Sequence, residues 1–203
     1  ANKFQILDFN NIEIVNKSYD DIYSNHLHKI DDELTINLKG YSNKENQKLS
    51  KIVDEIRSIN QNMIIYTKSP TATQNKANEI IKYSIKLNKG ISQELNELII
   101  HLKNRFQFTD WSVINGLENK IAIHHGLIPK YIQKEIVKLF NNGDIDILIS
   151  TTTITEGVNT SAKNLIVTSS RKGRKPLKTF DAKNISGRAG RFLYHYSGRV
   201  LIF

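Results

Sequence analysis

The chain of 203 residues contains no cysteine, three prolines, one methionine and one tryptophan. Without cysteine there is no disulfide framework, no thiolate zinc site and no thiol nucleophile. No apolar run approaches the roughly 18 residues that span a bilayer, and the opening Ala1 to Phe9 lacks the basic-then-apolar order of a secretory leader. Also missing is any GxxxxGK(S/T) loop, so the chain lacks the part that cradles a nucleoside triphosphate and its Mg²⁺. With 39% hydrophobic and 24% charged residues, the composition fits neither a disordered chain nor a membrane protein. The length suits one domain with an appendage and allows a sizeable core. A soluble, cytoplasmic protein with no membrane partner is the expectation.

What the chain has in excess is positive charge, 29 Lys and Arg against 20 Asp and Glu for a net +9. Residues 1–60 hold 8 basic and 10 acidic side chains, residues 61–120 hold 8 and 5, and residues 121–203 hold 13 and 5. The imbalance therefore belongs to the last third. A concentrated positive field suits a polyanion, because each neutralised phosphate releases condensed counterions. On charge alone a solvated basic surface fits equally well.

Hydrophobic periodicity supplies the architecture. Leu49, Ile52, Val53, Ile56 and Ile59 predict a helix over Glu45 to Asn60, followed by a buried strand at Met63 to Tyr66. Ser69 and Pro70 cap and open a helix running to about Asn88 and stopped near Gly90. Leu95, Leu98, Ile99 and Leu102 mark another helix, and the stretch around Trp111 reads as irregular, with Trp111 as core or edge packing. Ile121 to Ile123 is a strand, and His124 to Ile128 a turn. Pro129 opens a helix striped by Ile132, Ile136, Leu139 and Phe140, and Asn141-Asn142-Gly143 ends it. Strands at Ile145 to Ser150, Asn164 to Thr168 and Arg199 to Phe203, with a short helix near Phe180 to Ala189, complete the pattern. Strands alternating with amphipathic helices predict an α/β fold with a mostly parallel sheet. Residues 1–44 read as an amino-terminal linker or extension with a strand or two, and Asp31 to Leu34 as a solvated acidic turn. Residues 45–203 read as the domain.

Four loops follow predicted strands, and an open parallel sheet gathers such loops along one edge. They are Thr67 to Thr71, His124 to Pro129, Ser150 to Thr160, and Ser170 to Arg191. The last contains Asn184-Ile185-Ser186-Gly187-Arg188-Ala189-Gly190-Arg191. Its two arginines lie about one helical turn apart, and its glycines let backbone approach closely. Guanidinium stays ionised and forks onto phosphate oxygens. The adjacent His124-His125 pair has no evident third metal ligand and reads as structure. Arg171, Lys172, Arg174, Lys175 and Lys178 make a basic loop that fits nucleic-acid contact and a mobile solvated loop equally well.

Taken in order, these segments resemble the carboxy-terminal motor domain of superfamily 2 helicases of the DEAD/DExH type. Ile64 to Ser69 is similar to motif IV, and His124-His125-Gly126-Leu127 with its basic helix resembles the segment before motif V. Ile147 to Asn159 resembles motif V and Asn184 to Arg191 motif VI. The resemblance covers about residues 60 to 203. It departs from the family at Asn184, where Gln is usual, at Asn159-Thr160-Ser161 in place of Asn-Leu-Pro, and at Glu156.

The resemblance implies a three-layer RecA-like domain with a central, mostly parallel sheet flanked by helices. It implies that Arg188 and Arg191 act as arginine fingers on a triphosphate, with Gly157, Asn159, Asn184 and Gly187 near the nucleotide. Thr67, Lys68, His125, Gly126, Thr151 and Thr153 would contact backbone phosphates of single-stranded DNA or RNA. ATP and Mg²⁺ would be held mainly by an amino-terminal RecA-like domain of the same polypeptide. One domain of a longer helicase, inactive alone as an ATPase, is therefore expected. The rival is a stand-alone basic nucleic-acid-binding module with no motor activity.

Overall fold

A computed structural model describes residues 3–8, 13–18, 27–41, 45–85, 90–106, 111–155, 160, 162–176 and 198–202. The short apolar runs become strands and the stretches with helical spacing become helices. The strands are β1 (Lys3–Asp8), β2 (Glu13–Ser18), β3 (Leu27–Lys29), β4 (Thr35–Asn37), β5 (Met63–Tyr66), β6 (Ile121–His124), β7 (Ile147–Ser150), β8 (Asn164–Val167), β9 (Arg171–Lys172), β10 (Lys175–Pro176) and β11 (Arg199–Ile202). The helices are α1 (Glu45–Ser58), α2 (Pro70–Tyr83), α3 (Gln93–Phe106), α4 (Ser112–Glu118) and α5 (Lys130–Asn142), with a 3₁₀ turn at Thr152–Thr155.

The main sheet has the order β2-β1-β11-β8-β5-β7-β6. Strands β11, β8, β5, β7 and β6 run parallel, and the β1–β2 hairpin adds to β11 antiparallel. Every residue of β5, β6 and β7 is buried, as strands covered on both faces require. The crossover from β5 to β6 passes β7 in one direction, and the crossover from β6 to β7 returns. Right-handed connections of opposite direction put α2 and α4 on one face and α5 on the other. This is the three-layer RecA-like arrangement expected from the sequence.

Several boundaries carry a physical reason. Ser69 caps α2 as expected, accepting the Ala72 N–H at 3.3 Å, but the helix stops at Tyr83 rather than near Asn88. There Ser84 turns to an extended ψ of 154°, and the Ile85 N–H donates to the Asp54 carboxylate of α1 at 3.1 and 3.2 Å. The stretch expected to be irregular contains α4, whose Val113, Ile114 and Leu117 are buried. Trp111 packs at the core margin, 5.0 Å from the Phe106 ring. Helix α5 ends at Gly143, which takes the left-handed φ of 86° and donates to Leu139 O and Phe140 O. The short helix expected near Phe180 lies outside the described residues.

The first third joins the same core. Leu34, Ile36 and Leu38 are buried with β5, β7 and β8 in one cluster. At the amino edge of the sheet the Arg199 side chain, 6% exposed, is held by Asp31, by Glu33 at 2.7 Å, by Gln61 at 2.5 Å and by Asn164 at 3.1 Å. Lys163 also donates to Glu33. The Asp31 to Glu33 turn is exposed, as expected, yet the Asp31 and Glu33 carboxylates are tied to a buried cation, while Asp32 pairs with the exposed Lys29.

Candidate nucleic-acid interface

Strand register builds the opposite, carboxyl edge. His124 pairs with Ser150, Ser150 with Tyr66, Tyr66 with Val167, and Val167 with Ile202. The residues that follow, His125, Thr151, Thr67 and Thr168, therefore emerge side by side. Their backbones extend the ladder by one step. Thr67 N–H donates to Ser150 O at 2.9 Å, Thr168 N–H to Tyr66 O at 3.1 Å, and Thr151 N–H to His124 O at 3.3 Å. The loops expected to gather on one edge do so wherever they fall among the described residues.

The expected contact residues divide into outward and inward groups. Lys68 and Gly126 are exposed and Thr153 is half-buried. Thr151 is 9% exposed, and its hydroxyl lies 3.2 Å from that of Thr153. An ideal Cβ on Gly126 would sit 3.8 Å from the Thr153 methyl, so the loop after β6 rests on the start of the 3₁₀ turn. Thr67 is buried, and its hydroxyl faces Ser150 O at 3.5 Å. His125 is buried too, with Nδ1 accepting the Leu127 N–H at 3.3 Å. These two side chains shape the turns from beneath.

Two residues support these loops from beneath: Gln133, which the sequence did not single out, and His124, which it read as structure in a turn. Gln133, in the first turn of α5, is buried and donates to Ile128 O at 2.5 Å and His125 O at 3.2 Å. It fixes the loop that carries Gly126. His124 ends β6 rather than entering the turn, with Nδ1 3.2 Å from Thr153 Oγ1 and 3.3 Å from Ser150 Oγ. Burial pushes the His124 imidazole down to about 4, with lesser contributions from His125 and Lys130. Burial lowers His125 as well. Both rings are neutral near pH 7. A polar residue at a helical core position was the available signal for Gln133, and periodicity passes over it.

The basic loop is a hairpin. Strands β9 and β10 pair across Gly173-Arg174, with Gly173 at φ 61°. Gly173 N–H donates to Lys68 O at 2.8 Å, and the Tyr66 hydroxyl donates to Arg171 O at 3.0 Å. Arg171, Lys172, Arg174 and Lys175 are all exposed, so docking sets four cations beside Lys68. These exposed cations fit both readings of the loop, nucleic-acid contact and a solvated surface, and Lys178 lies outside the described residues.

Gly157, Asn159, Asn184, Gly187, Arg188 and Arg191 lie outside the described residues. Within them, the edge offers hydroxyls, backbone amides and cations, with no carboxylate among the residues that form it. That donor set suits phosphate oxygens and does not suit Mg²⁺. No group of three His, Cys, Asp or Glu able to hold a metal occurs among the described residues. No helix there is long and apolar enough to cross a membrane. A cleft of about 250 Å³ lies away from this edge, lined by residues including Arg57, Asn62, Asp146 and Lys163.

Comparison with known proteins gives a consistent result. The family model described as "Helicase conserved C-terminal domain" matches residues 85–193, more than half of the chain. Anti-bacteriophage protein B of Escherichia coli K12 is 37% identical over 137 residues, covering 68% of this chain and 18% of that protein. The ATP-dependent DNA helicase Hel308 of Aeropyrum pernix is 32% identical over 75 residues, 35% of this chain and 10% of Hel308. The antiviral helicase SKI2 of Saccharomyces cerevisiae is 37% identical over 92 residues, 42% of this chain and 7% of SKI2. The chain spans less than a fifth of the length of these curated relatives.

Proposed function

Because this chain belongs to the helicase conserved C-terminal domain family, we propose that it is the second motor domain of an ATP-dependent helicase, with residues 45–203 as the motor domain proper and residues 1–44 as an extension of it. The observation that carries the reading is the row of Lys68, Thr151, Thr153, Gly126 and the basic hairpin along one sheet edge. Hydroxyls, amides and point charges grip a phosphodiester backbone without reading its sequence. Single-stranded DNA or RNA runs along this edge, Thr67 and His125 hold the turns, and an amino-terminal RecA-like domain of the same polypeptide supplies the ATP and Mg²⁺ site. Closing and opening of the cleft between the two domains moves the strand.

Arg188 and Arg191, both inside the matched span, act in this reading as arginine fingers. They stabilise charge developing on the transferred phosphoryl, while Gly157, Asn159, Asn184 and Gly187 line the nucleotide. The chain alone is then inactive as an ATPase. In the full-length protein, Arg191→Ala lowers nucleic-acid-stimulated ATP turnover by roughly 10³-fold or more and leaves ATP binding nearly intact. Unchanged turnover refutes the finger assignment. The Escherichia coli relative is named for action against bacteriophage, and we extend that setting to this chain. Deleting the gene then raises phage plating on the host, and equal plating removes that part.

A further inference from the structure

The hydroxyls beside His124 have fewer hydrogens than contacts, and this constrains the imidazole. Ser150 Oγ lies 3.0 Å from Thr151 O, which can only accept, and 3.3 Å from His124 Nδ1; giving its single hydrogen to the nearer carbonyl leaves its oxygen to meet the ring as an acceptor. Nδ1 therefore carries the proton, a tautomer assigned from the network. The buried Nε2, which has no partner among the described residues, is then a bare lone pair. The other tautomer would bury an N–H with nothing to receive it, the costlier arrangement.

The consequence passes to the threonines. Thr153 Oγ1, 3.2 Å from Nδ1, shares the single ring hydrogen with Ser150 Oγ as a second acceptor and keeps its own hydrogen. Thr151 and Thr153, whose hydroxyls are 3.2 Å apart, then share two hydrogens, of which one closes the contact between them. The second is left over. With a lone pair on Nδ1 both would be consumed, one on the ring and one between the threonines.

We propose that His124 is a positioning residue whose Nδ1–H tautomer reserves one hydroxyl hydrogen of the Thr151–Thr153 pair for an acceptor-only ligand, a backbone phosphate oxygen of single-stranded nucleic acid. This rests on reading those threonines as phosphate contacts. A phosphodiester carries acceptors and no donor, so a threonine pair without a spare hydrogen would meet it with lone pairs against lone pairs.

Two measurements test it. Long-range ¹H–¹⁵N spectra of this chain labelled in histidine report the tautomer directly, and the expected pattern for His124 is protonated Nδ1 with bare Nε2. The Nε2–H form overturns the proposal. Binding of fluorescent oligo-dT and oligo-U at low salt is the second. His124→Asn keeps an N–H near the place of Nδ1 and holds affinity, whereas His124→Gln moves the amide to the place of Nε2 and weakens binding about tenfold. Equal losses for the two, or no loss for Gln, overturn it. The double variant Thr151→Val with Thr153→Val separates the levels. If it binds like the unaltered chain, the threonine reading itself falls; if it binds weakly while His124→Gln does not, only the role of His124 falls.

Discussion

Arg199 concentrates more consequence than any other single residue at the amino edge. Its guanidinium is buried at the start of β11, and its carboxylate partners come from a turn more than 160 positions away. Hydrogen bonds from Lys163, Arg199 and Gln61 hold the Glu33 carboxyl down at about 2, against an ordinary 4.5. Burial pushes Asp31 up, but hydrogen bonds from Arg199 and from the amides of Glu33 and Leu34 bring it below its usual range. A carboxyl lowered in the folded state stabilises the fold above its unfolded pKa and loses that contribution as the unfolded chain takes up protons first. Stability should therefore fall as pH drops from about 4.5 towards 2. Asp54, raised by burial, opposes this trend. Arg199→Met should cost about 2 kcal/mol at pH 7 and flatten the acid limb of a denaturation series run against pH. A limb as steep as in the parent would mean that the turn carboxylates are not its source.

Elements meet through a few backbone approaches that tolerate little change. Gly116 of α4 packs on the first residue of β6, where an ideal Cβ would stand 2.5 Å from Ile121 O. A backbone oxygen cannot swing away as a side chain can, so Gly116→Ala should destabilise by about 1–3 kcal/mol despite the better helix propensity of alanine. Chemical denaturation measures this, and a neutral or stabilising result would show that α4 can slide. The junction of α5 with the β6 loop depends on Gln133. Gln133→Leu leaves Ile128 O without its buried donor, at a cost of about 1–3 kcal/mol. Because the loop carries Gly126, the same variant should weaken oligonucleotide binding. A loss of stability with unchanged binding would disconnect the loop from the interface.

At the scale of the molecule, charge and sheet edge set the expectations. Binding of a single strand to this face should weaken as salt rises, and each phosphate contact contributes about 0.7 to the slope of log K against log salt. Lys68→Ala should reduce that slope by roughly 0.7, while a distant cation such as Lys29 leaves it unchanged when substituted. The sheet also has a protected flank. β1 covers the backbone of β11 through Ile6 to Asp8. Removing residues 1–18 leaves β11 as an open edge, so the shortened chain should self-associate with concentration in sedimentation. A monodisperse shortened chain would show that other residues cover β11.

The sequence by itself determined the strands β5 to β8 and β11, helices α1, α2, α3 and α5, and the ordered segments of the helicase family. Those features are local. A buried strand is written as an apolar run, a helix as a spaced stripe, and Gly143 as the αL stop it became. Tertiary structure decided what depends on residues far apart. The alternation around Leu34 to Leu38 was too short to place that segment, and only the tertiary structure puts Leu34, Ile36 and Leu38 in the shared core and β1 beside β11. Asp31 and Glu33 looked solvated because Arg199, their partner, lies at the other end of the chain. Thr67 and Thr153 read alike in sequence, yet register turns one hydroxyl inward and leaves the other half-open. His124 passed as part of a turn until the pairing of β6 with β7 brought it against Ser150 and Thr153. Residue type fixes which hydrogen bonds a side chain can make; the fold decides which partner is within reach.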